Sequence, residues 1–179
     1  MPAAWPVFQS SLTAYLTAKK AKKEKDTAKK IAQLYHAAVK TAMPILVPGA
    51  TLTVSAAAPI ESGFVASFKM GKALGGAPNN PGIWMPAAMG VVTYWTGKLF
   101  NPAVPPPTWL PGGVNNVLVP GVPPAPQIYA AMSAQTAAGV SAGLVAAFST
   151  HLLSVSGMFT GPNAASFGAP VPFPWVGVA

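Results

Sequence analysis

Ser141 stands in Gly139-Val140-Ser141-Ala142-Gly143, which fits the G-x-S-x-G pattern of the serine hydrolase nucleophile elbow. That chemistry needs a strained strand-to-helix turn to expose the hydroxyl, with an acid and a histidine further along the chain. Here the serine lies inside an Ala-rich run of helical character, and no strand precedes it. His151 follows only ten residues later, and no carboxylate occurs after Glu61. The match is therefore read as a by-product of Ala/Gly/Ser composition. The same two glycines also make G-x-x-x-G, in which small residues four apart let helix backbones approach closely. On that reading Gly139 and Gly143 are packing positions, and catalysis is not expected of Ser141.

The remaining candidates for chemistry are few. General acid–base work needs placed carboxylates or histidines. Glu24 and Asp26 sit among lysines whose repulsion they offset, and Glu61 stands alone near a predicted helix start, where a negative charge suits the macrodipole. His36 falls on a polar helix face and reads as solvated; His151 reads as a hydrogen-bonded interior residue. Two histidines 115 residues apart, with no cysteine in the chain, make no zinc site. No phosphate loop or dinucleotide fingerprint is present. No catalytic residue, cofactor or metal is expected. Seven lysines between residues 19 and 30 are the one feature suited to an acidic partner, with Lys19, Lys20, Lys22 and Lys23 as the contact residues. The reading placed ahead of that contact is a solvated helix face that keeps an apolar chain soluble. Arginine is absent, so contact with nucleic acid would be non-specific.

The elements that would position these residues follow from composition and period. Charged residues are 8% of the chain, against roughly 25% in ordinary soluble domains, and the 81 residues after Lys98 carry none. A half without charge must be covered by protein, covered by lipid, or left prone to association. Trp5, Phe8, Leu12, Tyr15 and Leu16 predict a short amphipathic helix. Ile31, Leu34, Tyr35, Ala38, Val39 and Ala42 predict a second over 27–42, capped by Asp26 and ended by Pro44. A short β-hairpin is expected near 45–58, then helices from Pro59 to Leu74 and from Pro86 to Phe100, separated by a loop at 77–82. Gln127 to Phe159 predicts one long helix, stopped at Gly161-Pro162. Its bulky stripe contains Leu144, Phe148 and Leu152, and its small stripe contains Gly139, Gly143 and Ala146; all of these but Ala146 are expected, with the aromatic anchors of the straps, to pack against partners.

Two Pro-rich stretches, 101–126 and 161–179, read as extended straps. Nine of the twenty-six residues in the first are proline, which excludes helix and disfavours central strands. Trp109, Leu110, Phe173 and Trp175 are their apolar anchors, and aromatics of this kind dominate interfaces. The expected fold is mainly α: one small domain comprising a helical region (1–100) with its Lys-rich segment (19–30), a strap (101–126), a long apolar helix (127–160) and a C-terminal arm (161–179). Deletion of the arm is expected to leave the helices folded and to weaken assembly.

The blocks IAQLYHAAVKTA, ESGFVASFKMG and GVVTYWTG resemble blocks in small structural proteins of large tailed-phage particles. The resemblance covers under a fifth of the chain. It implies a virion subunit, capsid or tail, assembled in the host cytoplasm and packed against other virion subunits and copies of itself; it carries over no catalytic residue. Two other classes fit parts of the sequence. One is a membrane-associated protein with a span at 137–159, weakened by the lack of basic flanks. The other is a nucleic-acid-packaging or scaffold protein acting through the lysines. The chain has no secretory signal pattern at its start.

Overall fold

A computed structural model describes residues 4–18, 23–45, 50–53, 56–75, 80–101, 114–162 and 169–178. The fold is mainly helical. In chain order it contains α1 (Trp5–Thr17), α2 (Glu24–Val39), β1 (Thr51–Leu52), α3 (Ala58–Ala73) and, after a 3-10 turn (Pro81–Trp84), α4 (Met85–Trp95). There follow β2 (Phe100–Asn101), β3 (Val114–Val119), α5 (Ala125–Met132), α6 (Ala137–Ser154), β4 (Ser156–Pro162) and β5 (Pro170–Val176). Four of the helices carry proline in their first two positions, where the missing N–H is one the helix could not have paired. Helix α2 begins earlier than its apolar period suggests. Lys23 is its N-cap, and Asp26 lies inside the first turn rather than capping it.

The single helix expected over 127–159 is three elements. Helix α5 ends at Met132, where Ser133 turns its hydroxyl onto the Tyr129 carbonyl. The side chain of Thr136 then accepts from the Gly139 amide at 3.0 Å and starts α6 afresh. That cap breaks a run with no proline and no charge, because it satisfies an amide that the first turn leaves orphaned. Helix α6 stops at Ser154, short of Gly161-Pro162, and the chain changes period. Val155, Phe159 and Gly161 are buried at every second or fourth residue, which is strand spacing.

Strands β3, β4 and β5 form an antiparallel sheet in that order, with a register shift between Asn115 and Val117. The strand expected within 45–58 exists as β1, but its partner is not local. Thr51 and Leu52 pair with Asn101 and Phe100 of β2. The C-terminal arm folds back as β5, pairing along β4 from Ser156↔Val176 to Pro162↔Pro170. The Gly177 amide bonds the Val155 carbonyl in the same register, so Trp175, Phe173 and Val171 direct their amides toward β4. Pro170, Pro172 and Pro174 fall in the other parity, where the amide would face outward. An edge strand therefore holds three prolines without losing a ladder bond. Residues 102–113, with the Trp109 and Leu110 anchors, lie outside the described residues, as do Pro48-Gly49 and Phe167.

One aromatic chain unites helices and sheet. Tyr35 packs against Trp5, Tyr94 and Phe148, and its buried hydroxyl accepts from Trp95 Nε1 at 2.8 Å. Trp95 stacks on Phe100, which meets Trp175, and Trp175 lies against Phe159 of β4. Helices α3 and α4 cross at two glycines. A Cβ on Gly63 would stand 2.4 Å from the Pro86 carbonyl oxygen, and one on Gly90 would stand 2.5 Å from that of Pro59.

Candidate functional site

Ser141 and His151 are both buried in α6, ten residues and so about 15 Å apart along the axis. The Ser141 hydroxyl donates to the Ala137 carbonyl at 2.8 Å, the back-bond of a helical serine. His151 Nδ1 lies 2.9 Å from the Val122 carbonyl oxygen, which makes Nδ1–H the donor and leaves the lone pair on Nε2. Nε2 is buried with no hydrogen-bond partner among the described residues. Burial outweighs the bond to Val122 and holds the ring's pKa below its ordinary value. Ser154 completes this knot: its hydroxyl donates to the His151 carbonyl and accepts from the Val122 amide. The loop from β3 to α5 crosses here at Gly121, φ +82°, where a Cβ would meet Ser154 Oγ at 2.5 Å. These groups clamp a loop to a helix end, and no acid faces them from α1, α5 or α6, which contain none.

Trp175 Nε1 is also buried without a hydrogen-bond partner among the described residues, while three further polar side chains are engaged in structure. His36, expected to be solvated, is half-buried with Nδ1 3.0 Å from the Tyr94 hydroxyl. The buried hydroxyl of Ser67 accepts from the Ala87 amide at 3.0 Å, an otherwise unpaired donor in the first turn of α4. Burial raises the Tyr35 phenol far above its usual pKa, with the Trp95 bond opposing. Among the described residues no three His, Asp or Glu side chains gather to hold a metal.

The residues expected to pack against partners are mostly covered by the chain itself. Leu144, Phe148, Leu152 and Trp175 are buried in its own core, Phe173 is half-buried beside them, and Gly143 is the crossing point of α5 on α6. A Cβ there would come 2.7 Å from the Cα and Cβ of Ala131. Apolar period reveals a buried face but not whose atoms bury it, and at these positions the chain's own atoms supply much of the cover. Gly139 remains partly exposed. With Gln127, Ala130, Gly143 and Ala146 it lines an open groove between α5 and α6. A second open groove runs between α3 and α4, past Ala58, Ser62, Pro86 and Met89. Ser62 and Thr93 are the hydroxyls lining the α3–α4 groove and Thr150 that of the α5–α6 groove, and neither lining includes a histidine or a carboxylate.

Of the lysines assigned to an acidic partner, Lys23 is exposed at the start of α2, beside exposed Lys25 and Lys29; Lys19, Lys20 and Lys22 lie outside the described residues. Helix α6 is long and apolar enough to cross a membrane by length and composition, with mean hydropathy 1.4 over 18 residues. A third of those residues are buried inside the fold.

The surface feature that sequence reasoning missed is the outer face of the sheet. Register places Val119, Ser156 and Val176 in one row, with Met158 and Pro174 in the next and Thr160 and Pro172 beyond. Val119 and Val176 are 52% and 63% exposed, far above a half-buried strand's core face. The signal lay in the alternation of Pro with Val, Phe and Trp over 170–176, which marks two faces once the segment is taken as a strand. No protein-family model, curated protein or solved structure matches the chain.

Proposed function

We propose that this chain is a non-enzymatic structural subunit of a large assembly, a capsid or tail component of a tailed-phage virion, acting through protein–protein packing. The observation that carries the reading is the distribution of charge against exposed apolar surface. Val119, Val122, Leu153 and Val176 are all more than half exposed, and every one lies in the part of the chain that has no charged residue. Isolated soluble domains intersperse both signs of charge over such surface. A subunit held on several sides by neighbours has no such requirement. The polar side chains described above serve caps, clamps and helix junctions, which is the use a packing module makes of them. The resemblance of 31–42, 61–71 and 90–97 to phage structural proteins supplies the kind of assembly.

Particles purified by density gradient from the encoding source test this. Stoichiometric recovery of the chain in the particle, and its decoration by antibody in electron micrographs, are expected. Particles that lack the chain overturn the proposal. A second reading rests on exposed Lys23, Lys25 and Lys29 at the positive end of α2: contact with packaged nucleic acid inside the same particle. Its affinity would fall steeply with salt, and Lys→Gln changes at 19, 20, 22 and 23 would lower nucleic-acid content without affecting the fold.

A further inference from the structure

The connection from β3 to α5 reads Pro120-Gly121-Val122-Pro123-Pro124, so three of its five residues have no amide to bond with. Two side chains in the last turn of α6 hold it. Ser154 Oγ accepts from the Val122 amide at 3.2 Å, and His151 Nδ1–H donates to the Val122 carbonyl at 2.9 Å. The Val122 side chain is 71% exposed and adds little anchorage. Gly121 brings the loop backbone down onto the imidazole: a Cβ there would stand 3.0 Å from His151 Cε1, the carbon between the two ring nitrogens. On either side the chain is fixed, by the β3–β4 ladder up to Val119 and by buried Ala125 and Ile128 of α5. Residues 120–123 are thus a short flap, hinged at both ends and fastened at one residue.

The ring beneath the flap has no place for a second proton. His151 is buried, and its Nε2 has no hydrogen-bond partner among the described residues. Protonation would leave the Nδ1–H bond to Val122 in place and add an N–H and a positive charge at Nε2. A buried charge without a partner is far costlier than a buried lone pair. The chain's three carboxylates stand on α2 and α3, and none bonds His151. Helices α1, α5 and α6 and strands β3, β4 and β5 contain no Asp, Glu, Lys or Arg; besides His151 their titratable groups are Tyr15 on α1 and Tyr129 on α5. Helix α2 reaches α6 through Tyr35 against Phe148. Its Tyr35 is committed to Trp95, its His36 lies on Tyr94, and Lys40 at its end is exposed. The partner a charged ring needs is water, and the flap keeps water out.

We infer that residues 120–123 and His151 form an acid-opened latch, in which the loop closes over the neutral imidazole and lifts when the ring takes up a proton. The inference goes beyond the assembly reading and does not depend on it. An uncovered ring binds its proton with ordinary imidazole affinity, and the covered ring refuses it. Opening is therefore promoted as pH falls below about 6.5, by up to about tenfold per pH unit, until the covered ring titrates as well.

Native-state hydrogen exchange of the whole chain, read by NMR at low urea and corrected for the intrinsic pH dependence of exchange, tests this. At pH 7.5 the Val122 amide should exchange through a local opening that is insensitive to urea. The Ile31 and Tyr35 amides of α2 should exchange only through urea-sensitive global unfolding. Between pH 6.5 and 5.5 the opening constant at Val122 should rise by about tenfold. His151→Asn keeps a donor but cannot charge, and should remove the rise. Ser154→Ala should increase opening at every pH and keep the rise. Imidazole nitrogen shifts of the wild-type chain give a readout that needs no variant: an Nδ1–H tautomer at pH 7.5, and a ring that titrates at lower pH than in the urea-unfolded chain. Exchange of Val122 only with global unfolding, an opening constant flat from pH 7.5 to 5.5, an equal rise in His151→Asn, or an Nε2–H tautomer each overturns the latch.

Discussion

At the scale of single residues, His151 ties the end of α6 to the loop before α5 through one hydrogen bond, and burial keeps its ring neutral there. Burial depresses its pKa from 6.5, so below that value the unfolded chain takes up a proton that the folded chain refuses. Stability is therefore complete above about pH 7 and falls on acidification, with a limiting slope of about 1.4 kcal/mol per pH unit until the folded ring also titrates. Urea denaturation at a series of pH values from 7.5 to 5 should show this loss. His151→Asn keeps a donor for the Val122 carbonyl and should be less stable at pH 7.5 but lack that slope. An unchanged slope would place the sensitivity elsewhere. An interior His151 was legible in the sequence because it borders the bulky stripe of a charge-free helix. Its partner was not, since Val122 lies 29 residues away in a stretch that local signals mark only as extended.

At the scale of elements, the crossing of α3 and α4 is set by what glycine omits. The obstacles at Gly63 and Gly90 are backbone atoms of the opposite helix, which cannot rotate aside as a side chain can. Gly63→Ala and Gly90→Ala should each destabilise by about 1–3 kcal/mol. Gly71→Ala, whose new methyl would meet only Ile83 Cγ2 at 3.6 Å, should be neutral or stabilise by up to about 1 kcal/mol. Thermal midpoints of the three variants decide the matter, and a loss at Gly71 equal to the others would remove the distinction. The edge of β5 makes a separate test. Replacing Pro170, Pro172 and Pro174 together by Val restores outward donors and should raise β-rich aggregation, read by thioflavin fluorescence, without breaking the β4–β5 ladder. Helices α1, α3 and α4 were legible because their apolar period and their initial prolines agree, and α2 was legible from its apolar period alone. The break at 133–136 was not, because a Thr cap inside Ala-rich sequence resembles the helix on either side of it. The β1–β2 pairing joins residues nearly fifty positions apart, and no local pattern reports that.

At the scale of the whole molecule, the C-terminal arm belongs to the core. Read as a strap, it should be removable without cost to the helices. Its place in the fold argues otherwise. Trp175 is 1% exposed between Phe100 and Phe159, and loss of a buried aromatic of this size costs about 3–5 kcal/mol. The backbone that follows ties three segments together: Gly177 and Val178 donate to the carbonyls of Val155 and Leu152 at the end of α6, and Gly177 accepts from Ile45 beyond α2. Removing 170–179 deletes these bonds, bares Phe159 and leaves β4 as a raw edge. Set against the about 5–15 kcal/mol that holds an ordinary domain together, that is enough to abolish cooperative folding. The truncated chain should lose its near-UV circular dichroism and its sigmoidal urea transition while keeping part of its helical signal, and Trp175→Ala alone should lower the midpoint substantially. A truncated chain that unfolds at the wild-type midpoint would return the arm to the role of a detachable strap. The anchoring residues were visible from their type; that Trp175 grips its own subunit depends on an antiparallel register that brings it opposite Gly157, where the absence of a side chain on β4 leaves room for an indole.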